Sequence, residues 1–187
     1  MVTQLRRVGA ALAAGLMLAL ALVGVQVAPA AAADPGIQAT TICFDISQAG
    51  SFGSTAVNAA GIWNSRVSNI YWSRCGSSVI IRQVYSGGSR AYVYGLGRGY
   101  IYIDYYQAQQ YSPLRIMTHE MGHLLGLPDN YNGSCSILMS GGSAGTSCTN
   151  PYPSSGEAYQ VYRNFGGTLA TADQDVQIFK DSWPAAA

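Results

Sequence analysis

The sequence predicts an α+β domain, with one β-sheet packed against helices and an irregular stretch behind the second of them. Three features carry that prediction. Apolar residues recur at helical steps over 52–67, and short β-branched and aromatic runs divided by Gly and Ser follow over 69–105. A helix with both ends marked then lies between Ser112 and Gly126.

The N-terminal residues stand apart from this domain. Arg6 and Arg7 precede an apolar Ala/Leu/Val run, and Ala31-Ala32-Ala33 supplies a small-residue cleavage site before Asp34. This is the pattern of a secretory signal peptide over 1–33. The run approaches the ~20 residues that span a bilayer. No basic stop-transfer cluster follows it, however, so export with removal is the reading, and no membrane association afterwards. Residues 34–40 read as a linker or short pro-segment. Losing Arg6 and Arg7 leaves eight basic against nine acidic side chains, a balance that offers nothing to nucleic acid or anionic lipid.

Each element has a local reason. Residues 41–47 read as a strand. Phe52, Ala56, Ala59, Trp63 and Val67 fall on one helical face. Strands are expected at 69–72, 78–84, 91–94 and 100–105. Ser112 can cap the second helix, Pro113 suits its first position, and Gly126 suits a left-handed exit. Residues 128–153 are dense in Gly, Ser, Asn and Pro, which predicts irregular structure. Residues 157–165 look helical, and 168–187 form a tail with an Ala-rich, frayed end. In an exported chain the four cysteines suggest two disulfides, and spacing favours Cys43 with Cys75 and Cys135 with Cys148.

The chemistry concentrates in His119-Glu120-Met121-Gly122-His123. Helical residues four apart share a face, so both imidazoles can reach one ion. Zinc suits them, being a cation that accepts imidazole nitrogen at about 2.0–2.1 Å. Glu120 projects beside the metal, where its carboxylate can take a proton from water that the metal activates. A catalytic site generally has three protein ligands, and the chain has no other histidine. Asp129 is the candidate, because Gly126 lets the chain double back toward the ion. Glu157 is the rival, on a later helix.

The run His119-Glu-Met-Gly-His123-Leu-Leu-Gly126-Leu-Pro-Asp129 resembles the snapalysin family of small extracellular metalloproteases, relatives of the metzincins in which Asp replaces the third His. The stretches Tyr102-Ile-Asp-Tyr105, Ser136-Ile-Leu-Met-Ser-Gly-Gly142 and Ser147-Cys-Thr-Asn-Pro-Tyr-Pro153 also match its pattern, and the likeness covers 41–167. It implies a metzincin-like zincin: a twisted mixed sheet, an active-site helix, and a smaller irregular and helical C-terminal part. It implies zinc on His119, His123 and Asp129, Glu120 as general base, and Met139 as the Met-turn residue beneath the metal. Tyr131 would steady the oxyanion, with Tyr152 as the fallback. Relatives can carry an acidic calcium ligand where this chain has Ser112, which puts a calcium site in doubt.

The expected activity is therefore a secreted, monomeric zinc endopeptidase acting on protein or peptide substrates. The likeness implies a preference for an aromatic residue after the cut. A substrate strand is expected along an exposed sheet edge at 100–105, beside a pocket walled by 139–159. A zinc amidase on cell-wall peptides and a non-catalytic module on a protease scaffold are the competing readings. The retained Glu120 argues against the second of these, since a structural zinc site needs no base.

Overall fold

The computed structural model describes residues 38–166, 176–180 and 183. The signal peptide expected at 1–33, the linker except for 38–40, and the frayed end at 184–187 lie outside the described residues. The chain begins with strand β1 (Thr40–Gln48), a short 3-10 turn (Gly50–Phe52) and helix α1 (Gly53–Arg66). Four strands follow: β2 (Ile70–Ser73), β3 (Val79–Val84), β4 (Arg90–Gly95) and β5 (Arg98–Asp104). Helices α2 (Tyr105–Gln110) and α3 (Pro113–Leu124), a 3-10 segment (Leu138–Ala144), helix α4 (Ser155–Gly166) and strand β6 (Gln177–Lys180) complete the fold.

The sheet order is β2-β1-β3-β5-β4-β6. The pairs β1–β2, β1–β3 and β3–β5 are parallel, whereas β4 is antiparallel to both β5 and β6. The fold is thus the α+β class with a mixed sheet. Parallel neighbours need a crossover, and α1 supplies it between β1 and β2. Side chains alternate across the pleat. Val79, Ile81, Ala91, Val93, Ile101 and Ile103 are buried on one face with the apolar stripe of α1, where Ala56, Ala59 and Trp63 are fully enclosed. The indole of Trp63 donates to the Thr118 carbonyl at 3.0 Å, tying α1 to α3. On the other face Tyr92, Tyr94, Tyr100 and Tyr102 pack edge to face, with Arg82 and Arg90 over their rings.

Two expectations are corrected. Residues 100–105 do not form a sheet edge, because β5 lies between β3 and β4 and both its sides are paired. Tyr105 also leaves the strand and opens α2. The Asp104 carboxylate causes that break: it caps α2 by accepting from Tyr106 N at 2.9 Å and Gln107 N at 3.2 Å. Within 128–153, residues Leu138–Ala144 are 3-10 helix rather than wholly irregular. The cysteines pair as Cys43–Cys75 and Cys135–Cys148.

Candidate metal centre

Helix α3 is built to present its C-terminal turn. Ser112 Oγ accepts from Arg115 N at the start, and Pro113 takes the first position. At the far end Gly126 adopts φ 83°, Gly126 N donates to His123 O at 2.9 Å, and Leu127 N donates to Gly122 O at 3.0 Å. These two bonds are the double closure of a Schellman exit, which turns the chain back over the last helical turn. Of the next two carbonyls, Leu125 O accepts from Asn164 Nδ2 at 2.9 Å and Leu124 O accepts from Gly97 N at 2.7 Å. That bond pins the β4–β5 hairpin to the end of the helix, so strand β4 runs beside His123.

The turn-back brings three side chains together. His119 Nε2 and His123 Nε2 lie 3.1 Å apart, and Asp129 Oδ1 is 3.3 Å from the first and 3.5 Å from the second. The backbone decides which ring nitrogens carry hydrogen. His119 Nδ1 meets the Leu138 carbonyl at 3.1 Å and His123 Nδ1 meets the Leu127 carbonyl at 2.9 Å. A carbonyl only accepts, so each Nδ1 is the donor, and in a neutral ring Nε2 is left with a lone pair. His119 is wholly buried, and that burial holds its pKa below the ordinary imidazole value despite the facing Asp129. Burial alone would raise the Asp129 carboxyl. Hydrogen bonds and charge from the two imidazoles would hold it below the usual carboxylate range only where an Nε2 carries a proton, so the carboxylate favours a positive charge at this point.

Two nitrogen lone pairs and a carboxylate oxygen therefore converge with no hydrogen to share. Asp129 Oδ1 is buried and accepts no hydrogen bond. Such a cluster calls for a cation. Tetrahedral coordination with bonds of about 2.0–2.1 Å separates neighbouring donor atoms by roughly 3.3 Å, which matches all three sides of this triangle. Among the described residues, His119, His123 and Asp129 form a group able to hold a metal ion.

Around this group the other predicted residues separate into near and far. Glu120 is 1% exposed on α3 beside His119, and its Oε1 accepts from the Trp183 indole at 3.1 Å. Met139 is buried beneath the helix. Its Sδ lies 2.8 Å from where a Cβ on Gly122 would be, which explains the glycine inside the motif. Tyr131 is 53% exposed, two residues past Asp129. Tyr152 is placed elsewhere, with the Arg66 guanidinium over its ring at 4.8 Å. A recess beside His123 is lined by Val93, Leu96, Gly126, Pro128 and Phe179, and among the described residues none of 139–159 is in that lining.

Glu157, the rival ligand, is committed to backbone. Its Oε1 accepts from Met139 N at 2.8 Å, and its Oε2 accepts from Leu138 N at 3.1 Å and Ser154 N at 2.7 Å. With Ser154 Oγ accepting from Glu157 N at 3.3 Å, this is a capping box on α4 that also grips the segment under the metal group. Sequence reasoning missed that role, although Ser154-x-x-Glu157 is its signature. It also missed Arg115, a fully buried guanidinium whose nitrogens donate to Asn150 O at 2.6 Å, Ile137 O at 2.8 Å and Ser140 Oγ at 2.9 Å. Arg115 fastens the disulfide-closed loop beneath α3, and no local pattern announces it.

Residues 39–166 match the model of the Streptomyces extracellular neutral proteinase (M7) family. The chain is 43% identical over 153 residues to an extracellular small neutral protease of Streptomyces coelicolor, covering 81% of this chain and 71% of that protein. It is 50% identical over 125 residues to an extracellular small neutral protease of Streptomyces caespitosus, covering 65% of this chain and 93% of that protein.

Proposed function

The chain belongs to the Streptomyces extracellular neutral proteinase (M7) family, and from that premise we propose that it is a secreted zinc endopeptidase. The observation that carries the metal assignment is the convergence of His119 Nε2, His123 Nε2 and Asp129 Oδ1 at 3.1, 3.3 and 3.5 Å, with each Nδ1 turned to a backbone carbonyl. His119, His123 and Asp129 would hold the ion. The Leu138 and Leu127 carbonyls fix the ring orientations, the outer hydrogen bonds that tune metal-bound histidines. When bound, zinc supplies Lewis acidity toward a scissile carbonyl and brings the pKa of water to about 7.

The remaining chemistry belongs to the chain. Glu120, buried beside His119, takes a proton from the attacking water and passes it to the leaving amine. Tyr131 is assigned to the developing oxyanion, on its place two residues past Asp129. Strand β4, on the side that β6 occupies, is where an extended substrate would pair antiparallel in place of β6. An aromatic residue after the cut is the expected preference, and a peptide-library cleavage profile tests it.

Two substitutions separate the roles. Glu120→Ala should keep zinc at one ion per chain and lower kcat by roughly 10²–10⁴-fold, the usual contribution of a general base. Asp129→Ala should lower zinc content in metal analysis. Unchanged hydrolysis in the first variant would remove the base assignment, and full zinc occupancy in the second would return the third-ligand role to another group.

A further inference from the structure

The C-terminal segment sits where a substrate would. Strand β6 pairs antiparallel with β4 in the register Arg90↔Lys180, Ala91↔Phe179, Tyr92↔Ile178 and Val93↔Gln177. It covers the sheet edge that borders the metal group. Pleating points alternate side chains in opposite directions. Ile178 faces solvent, while Phe179 points inward and stacks on the His123 ring at 4.1 Å between centroids and 10° between planes.

Trp183 goes further in. It is 0% exposed, packs edge to face on His119 at 5.3 Å and on Tyr111 at 5.4 Å, and donates from its indole to Glu120 Oε1. Its backbone carbonyl accepts from Gln107 Nε2 at 2.6 Å, and Gln107 is itself held by Ser89 N at 2.6 Å. The segment therefore engages one imidazole face, one imidazole edge and the proposed base. It also lies beyond residues 39–166, the part of the chain that the family model matches.

We infer that residues 176–180 and Trp183 are an intramolecular ligand of the cleft, tethered aromatic side chains that compete with substrate and keep the chain latent. The inhibition rests on the peptidase reading above; the seating does not. Three contacts carry it: backbone pairing on β4, Phe179 against His123, and Trp183 against Glu120. A substrate strand needs the same edge and the same carboxylate, so the two occupants exclude each other. Tethering favours the internal one, because its effective concentration is fixed by the linker rather than by solution.

The test compares the full chain with its Phe179→Ala/Trp183→Ala double variant, which leaves the three ligand residues and Glu120 unsubstituted. Hydrogen exchange read by mass spectrometry should show 176–183 protected in the parent chain and unprotected in the variant, with zinc content equal. With a chromogenic peptide, kcat/KM should rise at least about tenfold in the variant, as expected if the open form is a tenth or less of the parent population. A synthetic peptide of sequence 176–183 should then inhibit the variant by raising KM while leaving kcat unchanged. Equal kcat/KM in the two forms overturns the inhibition while leaving the peptidase reading standing. Full exchange of 176–183 in the parent chain overturns the seating. Loss of protection in the variant with no hydrolysis by either form overturns the peptidase reading instead, and supports the seating.

Discussion

Glu157 offers the sharpest test of how the metal group is held, because two readings of it predict opposite outcomes. As a capping and clamping residue it satisfies three backbone donors: Leu138 N, Met139 N and Ser154 N. A hydrogen bond to a charged acceptor contributes about 1.5–3 kcal/mol. Glu157 is only partly buried, so water recovers some of that on truncation. Glu157→Ala is therefore expected to cost about 3–5 kcal/mol. Glu157→Gln keeps one carbonyl oxygen, which can retain the two donors now on Oε2, but it turns an NH₂ toward Met139 N. It should cost roughly half as much. With a urea slope near 2 kcal/mol/M, the Ala variant should unfold about 2 M earlier than the parent.

The assay is urea denaturation of zinc-free protein with both disulfides intact, followed by a zinc titration. The clamp works without metal, so the loss must appear in the zinc-free protein. The Leu138 carbonyl that receives His119 Nδ1 belongs to the clamped segment, so zinc affinity should also fall, by about 10–100-fold as for other outer-sphere partners. A metal ligand would behave in the opposite way. If zinc-free Glu157→Ala matches the parent in urea while zinc stoichiometry collapses, the clamp reasoning is refuted.

Two further outcomes follow from the same packing. Gly122→Ala places a Cβ 2.8 Å from Met139 Sδ and 3.4 Å from Trp63. Overpacking of about 1–3 kcal/mol outweighs the gain of up to about 1 kcal/mol from replacing a helical glycine, so thermal unfolding should show a net loss near 1 kcal/mol. A variant more stable than the parent would mean that Met139 yields freely. The pH dependence has a definite sign. His119 is held below its ordinary value by burial, so on acidification the unfolded chain takes up that proton near pH 6.5 while the folded chain resists. In the zinc-free protein the urea midpoint should accordingly fall as pH drops from 8 through 6.5 toward 5. A flat midpoint over that interval would contradict a buried neutral His119.

Much of the fold was legible because its signals are local. The α1 stripe at Phe52, Ala56, Ala59, Trp63 and Val67 is wholly buried in the structure, as helical periodicity requires. Ser112, Pro113 and Gly126 mark the ends of α3 within a residue or two of where they fall. Strand order was not legible, since pairing is a property of the whole sheet. The expected substrate edge at 100–105 failed for that reason: an aromatic run with alternating faces reads alike at an edge and in the interior. Nothing near Tyr100 says that β4 folds back to cover it. The break at Asp104 was readable as a cap and was passed over because the aromatic run continued through it.

The metal group divides along the same line. The spacing of His119 and His123 follows from helix geometry, and the return of Asp129 follows from one left-handed glycine, so these three could be brought together from sequence. Glu157 and Arg115 could not be assigned their places, because their partners are backbone atoms of a loop whose path is set by the Cys135–Cys148 closure and by the very contacts in question. The tail is the extreme case. The segment over 176–183 shows only a short apolar alternation, and what gives β6 and Trp183 their places is supplied from elsewhere: the free side of β4, the ring of His123, the carboxylate of Glu120 and the amide of Gln107. A segment whose order depends on a site assembled by other elements behaves as a ligand does, and a ligand cannot be read from its own sequence alone.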